Sequence, residues 1–255
     1  SDLIACQYTS GTTGKPKGAL LTYNNMSHLI EACTNRIDMQ HDDHVLCVLP
    51  LFHIFSKFVN MLVPIQVGAS VTILTQFIPT VVLEEIYTKK VSYFCGVPGM
   101  YLALLSVLNQ NSYDISSLRV CFSGGAPLPV EIYNSYWEKY QIELLEGSGP
   151  TEAVTFCGVP GSKKPGSVGK PLEGVDMKIV DNDGNEVSQG EPGELCVKGQ
   201  NVMQGYQNLP EATAEAIKGG WFHTGDIGKV DNDGFVYIVD RKKDMIIVGG
   251  MNVYP

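Results

Sequence analysis

The chain is 255 residues long and 44% hydrophobic, enough to bury a sizeable core as one large domain or two small ones. Eighteen basic against twenty-seven acidic residues give a formal charge of −9. That balance argues against a nucleic-acid footprint, and it means that any anionic ligand must be held by local donors and not by the global field. The seven cysteines are odd in number, scattered and never spaced as a CxxC pair, which points to a reducing compartment and no structural metal. There is no signal peptide, and no apolar run approaches the ~20 residues that span a bilayer. The expected location is the cytoplasm, with peripheral membrane association and oligomeric state left open.

The chain has no initiator methionine, opens directly into a strand-like Leu3–Tyr8 and stops just after an apolar run, so it reads as an internal piece of a longer protein. Apolar strands are predicted at Val45–Leu49, Val71–Leu74, Val91–Cys95, Val120–Phe122 and Ile142–Leu145. Helices are predicted between them near Tyr23–Arg36, Ser56–Val67, Thr80–Lys89, Met100–Leu108 and Pro129–Tyr140. Continuous apolar strands alternating with helices indicate an α/β fold, with a mainly parallel sheet covered on both faces. From about residue 163 turn signals crowd together, and Val175–Val180, Glu194–Lys198 and Phe235–Val239 read as short strands of a small antiparallel, barrel-like subdomain. The expected divisions are 1–162, 163–240 and a short tail, 241–255. Two Asp-Asn-Asp-Gly clusters, beginning at Asp181 and Asp231, place glycine fourth, where an EF-hand needs it sixth, so they are expected to be hairpin turns.

The richest stretch chemically is Tyr8-Thr9-Ser10-Gly11-Thr12-Thr13-Gly14-Lys15-Pro16-Lys17-Gly18. Its glycines let backbone wrap a ligand closely, the hydroxyls of Thr9, Ser10, Thr12 and Thr13 offer donors, and Lys15 and Lys17 add positive charge, a combination suited to a polyphosphate such as ATP. It is not a Walker A loop, because only two residues separate Gly11 from Gly14 and Lys15 is followed by proline. A solvated glycine-threonine loop is the alternative. Four further segments carry functional residue types: Leu49-Pro50-Leu51-Phe52-His53-Ile54-Phe55; Ser123-Gly124-Gly125-Ala126-Pro127-Leu128; Glu146-Gly147-Ser148-Gly149-Pro150-Thr151-Glu152; and Trp221-Phe222-His223-Thr224-Gly225-Asp226. Alone, His53 reads as a packed or hydrogen-bonded core histidine, the second segment as a tight strand-to-helix turn, and Glu152 as an exposed acid. The charged run Asp240-Arg241-Lys242-Lys243-Asp244 alone reads as a solvated turn.

Together and in this order, these segments resemble the adenylate-forming superfamily, which includes acyl-CoA synthetases, firefly luciferase and the adenylation domains of peptide synthetases. The likeness covers nearly the whole chain. It implies that residues 1–162 bind nucleotide and acyl group and that His53 lines the acyl site near the reacting carboxylate. It further implies that Gly124, Gly125 and Ala126 meet adenine, and that Glu146, Gly147 and Ser148 belong to the nucleotide site. Thr151 would reach the α-phosphate, and Glu152, with Thr9, would hold Mg²⁺. A carboxylate attacking a triphosphate brings anion to anion, so a hard cation and fixed donors such as Lys15, Lys17 and Thr151 are what the chemistry needs. Asp226 would accept hydrogen bonds from both ribose hydroxyls, Arg241 would reach the ribose, and Lys243 would be the hinge toward a C-terminal domain beyond Pro255.

By the same resemblance, Gly193–Gly199 running on to Gly205-Tyr206 is a structural barrel strand without chemistry, and His223 is a bystander. The chain departs from the pattern at Ser148, where an aromatic usually stacks on adenine, unless Phe122 or Phe156 substitutes. Gly96–Tyr101 and the Asp244–Pro255 ending look most like bacterial long-chain fatty acid–CoA ligases. The implied activity is ATP-dependent conversion of a carboxylic acid to an acyl-adenylate and then to a coenzyme A thioester, with this piece alone expected to be inactive. The alternatives are another adenylating enzyme, such as an aryl-CoA ligase or an amino-acid adenylation domain, or an ATP-binding module without turnover.

Overall fold

The computed structural model describes residues 2–9, 16–241, 246–248 and 251–253. In chain order, β1 (Leu3–Thr9), β2 (Lys17–Thr22) and α1 (Tyr23–Ile37) lead to β3 (His44–Cys47). A helical run follows, made of α2 (Ile54–Lys57), one π-helical turn (Phe58–Leu62) and α3 (Val63–Val67). Then come β4 (Ser70–Ile73), α4 (Pro79–Lys89), β5 (Tyr93–Gly96), α5 (Pro98–Leu108), β6 (Val120–Ser123), α6 (Val130–Tyr140) and β7 (Leu144–Ser148). The remainder is mostly strand: β8 (Phe156–Cys157), β9 (Lys170–Pro171), β10 (Val175–Val180), β11 (Gly193–Gly199), β12 (Gly205–Tyr206), β13 (Ile217–Lys218), β14 (Trp221–Val230), β15 (Val236–Arg241), β16 (Ile246–Val248) and β17 (Met251–Val253), with α7 (Pro210–Ala216) between β12 and β13. Among the described residues no helix is long and apolar enough to cross a membrane.

The chain forms two compact units, each drawn from separated stretches: Cys33–Gly147 with Cys157–Gly166, and Ser1–Ala32 with Ser148–Phe156 and Ser167–Pro255. In the first, parallel strands hydrogen-bond in the order β4-β3-β5-β6-β7. Each successive pair in sequence is joined through a helix, as parallel pairing requires. Proline begins α4 and α5, at a position where a missing amide costs nothing, and Lys90 and Gln141 end α4 and α6 in the left-handed conformation. The core packs Leu46, Leu83, Ile86, Phe94, Leu104 and Leu144 around three buried tyrosines and their neighbours. Tyr101 donates its hydroxyl to the carbonyls of Phe94 and Phe122, and Tyr136 donates to that of Tyr101, so these two buried phenols are satisfied, whereas the buried hydroxyl of Tyr133 finds no partner among the described residues.

The single helix expected over 56–67 is corrected to a helical run broken by the π turn, in which the Val63 amide donates to the Phe58 carbonyl five residues back. Pro64 follows immediately and brings no amide of its own, so a shift out of α-helical register is accommodated there.

The second unit is antiparallel. Strands β10-β11-β14-β13 pair in that order with β15 added to β14, and β1-β2-β12 form a separate three-stranded sheet. Thr22 starts α1 through a reciprocal cap: its amide donates to Asn25 Oδ1 at 2.7 Å and the Asn25 amide donates back to Thr22 Oγ1 at 3.2 Å. The Asn25 Nδ2 then donates to the carbonyls of Gln200 and Val202, fastening the loop before β12.

Candidate functional site

In the parallel unit, three of the segments singled out above leave the carboxyl ends of strands of the same sheet. His53 follows β3, Ser123–Leu128 leaves β6, and Glu146 to Ser148 ends β7. Because β4 lies on one side of β3 and β5 on the other, the strand order reverses there, and the carboxyl ends beside such a reversal are where open α/β sheets bind ligands.

His53 is exposed, which corrects the reading of it as a core residue. It caps α2, with Nδ1 accepting from the Phe55 amide at 3.2 Å. The Phe55 ring lies flat against the glycine turn: a β-carbon on Gly124 would meet it at 3.0 Å, and its centroid is 5.9 Å from that of Phe122. Gly125, at φ +80, has the left-handed backbone that lets the chain turn from β6 toward α6. Glu146 is buried and points into the same turn, its Oε2 accepting from the Leu128 amide at 3.0 Å. Burial pushes its pKa up to about 7, with hydrogen bonds from the Leu128 and Gly166 amides opposing the shift. Glu146 therefore braces the Gly124–Leu128 turn from within.

In the antiparallel unit, β1 and β2 form a hairpin whose last pair is Thr9 with Lys17. The loop between them holds Ser10, Gly11, Thr12, Thr13, Gly14 and Lys15, which lie outside the described residues, as does Lys243. A β-carbon on Gly18 would come within 2.6 Å of Cys6 Sγ, so a larger residue there would displace that side chain. Thr9 Oγ1 donates to Glu152 Oε1 at 3.5 Å, and the hydroxyl of Tyr206 donates to the same oxygen at 2.7 Å. Lys17 Nζ lies 4.9 Å from the centroid of the Tyr206 ring. Thr9, Lys17 and Glu152 are thus brought together from three stretches of chain, with Tyr206 touching two of them.

Glu152 is buried on a turn that is tightly specified. A β-carbon on Gly149 would lie 2.6 Å from both Thr155 N and Val154 Cα. The Ala153 amide donates to the Pro150 carbonyl at 3.0 Å, the Met203 amide to the Glu152 carbonyl at 2.7 Å, and Asn201 Nδ2 to the Val154 carbonyl at 3.0 Å. Thr151 sits half-buried on this turn.

Asp226 and Arg241 are cross-strand partners on β14 and β15, with Arg241 Nε 3.3 Å from Asp226 Oδ1. Burial raises the Asp226 pKa and the guanidinium pulls it back down. His223 belongs to a different cluster, its Nδ1 3.1 Å from Glu194 Oε2 and 3.3 Å from Cys196 Sγ. Two residues at these sites were given no role of their own from the sequence: Phe55, part of a segment in which only His53 was assigned one, and Tyr206, which lay in a stretch expected to be purely structural.

A parallel sheet with glycine-rich and acidic segments at its strand ends, in a chain that also carries a hairpin whose loop sequence is rich in glycine, hydroxyls and lysine, defines a class of α/β ligand-binding protein. Residues 1–207 match the AMP-binding enzyme family, and the chain belongs to it, within the adenylate-forming superfamily that its motifs resemble. Similar proteins include a long-chain-fatty-acid–CoA ligase of Escherichia coli, 43% identical over 263 residues and covering all of this chain and 46% of that enzyme. A feruloyl-CoA synthase of an Amycolatopsis species is 39% identical over 258 residues, covering all of this chain and 52% of that enzyme. The crystal structure of ATP-bound MatB from Rhodopseudomonas palustris aligns over all of this chain and 51% of its own, with a TM-score of 0.94 and 35% identity. The chain spans about half the length of the curated relatives it matches.

Proposed function

We propose that the complete protein activates a carboxylic acid with ATP and transfers the acyl group to coenzyme A. A carboxylate oxygen attacks the α-phosphorus, the bond to the bridging oxygen breaks and pyrophosphate leaves. The CoA sulfur then attacks the carbonyl of the mixed anhydride, AMP departs and the thiol proton is released. Two anions must meet in the first step, so the site's work is to neutralise and position.

The observation that carries this reading is the hydroxyl–carboxylate pair of Thr9 and Glu152 beside Lys17, at the base of the glycine-threonine loop. Its donors are oxygen only, a set suited to a hard cation and poor for a soft one, so the residues fit Mg²⁺. When bound, the ion neutralises phosphate charge. Lys17, with the loop from Ser10 to Lys15, holds the β- and γ-phosphates, and Thr151 donates to the α-phosphate. Asp226 accepts from the ribose hydroxyls and is kept oriented by Arg241. The turn at Gly124, Gly125 and Ala126 receives adenine, with Glu146 fixing that turn through Leu128. His53, exposed after β3, faces the acid, and Lys243 is the pivot for thioester formation.

The substrate we propose is a medium- or long-chain fatty acid. Support comes from the Gly96–Tyr101 segment and from the 43% identity to a long-chain-fatty-acid–CoA ligase, against 39% to a feruloyl-CoA synthase. The test is ATP–pyrophosphate exchange by the complete protein across fatty, aromatic and amino acids. Exchange confined to aromatic or amino acids overturns the substrate, and Mg·ATP binding without exchange for any acid overturns the ligase in favour of a nucleotide-binding module.

A further inference from the structure

Tyr206 lies in a segment to which the resemblance assigns no chemistry. It ends β12, which adds to the edge of β2 with Tyr206 opposite Ala19 and Gly205 opposite Leu20. Its amide donates to Thr213 Oγ1 at 2.9 Å, and Thr213 Oγ1 in turn donates to the Leu209 carbonyl, so the residue is anchored through its backbone from the strand and from the start of α7. The side chain is thereby held half-buried between two groups of opposite charge: the hydroxyl donates to Glu152 Oε1 at 2.7 Å, and the ring face carries Lys17 Nζ at 4.9 Å. A phenol keeps its proton at neutral pH, so the O–H acts as a donor to the carboxylate.

We infer that Tyr206 is a positioning residue for the metal and phosphate site. Its hydroxyl orients Glu152 toward the cation and its ring presents Lys17 to the polyphosphate. The inference rests on the function proposed above and extends it to a residue with no direct part in the chemistry. A tyrosine suits both tasks: the neutral O–H fixes one carboxylate oxygen without cancelling its charge, and the π face attracts an ammonium without removing any of its three donors. With Tyr206 and Thr9 both addressing Oε1, the carboxylate is held through that oxygen. Outer partners that orient a ligand in this way typically change metal affinity by ~10–100-fold when removed. The same residue ties the hairpin to the turn carrying Glu152, which the 3.5 Å contact from Thr9 also reaches.

The test is calorimetric titration of Mg·ATP into the full chain at a series of Mg²⁺ concentrations, with thermal melting as a check on folding. Tyr206→Phe keeps the ring and removes the hydroxyl. It is expected to raise the Mg²⁺ concentration for half-maximal ATP binding about tenfold, at the low end of that range, while leaving affinity at saturating Mg²⁺ within twofold. Tyr206→Leu is expected also to weaken ATP at saturating Mg²⁺, because Lys17 loses its platform. In a Glu152→Gln background Tyr206→Phe is expected to add nothing further, since its effect runs through that carboxylate. An unchanged Mg²⁺ dependence in Tyr206→Phe, or a full additive loss in the Glu152→Gln background, overturns the inference while leaving the proposed function standing. Failure of the unaltered chain to bind Mg·ATP overturns both.

Discussion

Ser148 ends β7 half-buried, at the position where the resembled family carries an aromatic side chain, and a hydroxyl offers no face for a purine. The two aromatics that could substitute, Phe122 and Phe156, are both buried, and Phe122 is already engaged by Phe55. Ser148→Tyr is therefore expected to tighten ATP by about 1–3 kcal/mol, the worth of one stacked base on an aromatic. Calorimetry checks this, and a dissociation constant that is unchanged or larger counts against a nucleotide lying at this strand end. Single residues also show where sequence reading stops. Glu152 and Thr9 stood out because their residue types and neighbours formed recognisable segments. Tyr206 did not, because nothing in a Gly-Tyr pair records that its hydroxyl will reach a carboxylate 54 positions earlier.

Glu146 and the turn it braces belong to the scale of elements. Its folded pKa, about 7, lies above the ordinary carboxyl value, so the fold favours the protonated form. The associated stability is fully present below the ordinary carboxyl range and is lost as pH rises through 7, with a ceiling on the order of 3 kcal/mol. Glutamine keeps an acceptor for the Leu128 amide without the charge. Glu146→Gln should accordingly gain in melting temperature relative to the unaltered protein as pH goes from 5 to 8, whereas a difference that stays constant over that range would refute the assignment. The turn after β7 makes a second prediction. Gly149→Ala sets a methyl against Thr155 N and Val154 Cα and should cost about 1–3 kcal/mol in denaturant unfolding, as overpacking does. A change below about 0.5 kcal/mol, the usual range for unremarkable surface sites, would show that the turn yields.

Elements were legible where periodicity and punctuation agreed. Tyr23–Arg36 was predicted as a helix and α1 runs Tyr23–Ile37, and the five apolar runs all became parallel strands within a residue or two of their predicted starts. The π turn was not legible, because a helix pattern says nothing of which carbonyl each amide will choose. Likewise α7 escaped notice, since none of its residues is buried and it carries no apolar stripe to read.

Over the whole molecule, the scattered cysteines resolve into six buried thiols and one exposed, Cys6. Burial pushes the Cys121 pKa up to about 12 and raises that of Cys95 as well, leaving both inert at neutral pH. The native protein should therefore react rapidly with about one equivalent of a thiol reagent and with all seven only once unfolded; two or more fast equivalents would show that the core opens readily. At this scale the alternation of apolar runs with helical patterns spoke correctly for an α/β fold, and the crowded turn signals for an antiparallel part. Neither unit is one continuous stretch of chain, and a list of local patterns cannot show which distant segments will share a core.

The placement of β12 on β2 has a consequence for biosynthesis. β1 and β2 are neighbours in sequence and can pair as soon as they leave the ribosome, but the outer edge of β2 must wait for Gly205 and Tyr206 to be translated. Until then a row of backbone amides and carbonyls on β2 stays open to any passing strand, and Glu152 lacks its phenol. A nascent protein halted short of Tyr206 holds every glycine and threonine between β1 and β2, yet it has neither a sealed sheet nor a steadied carboxylate.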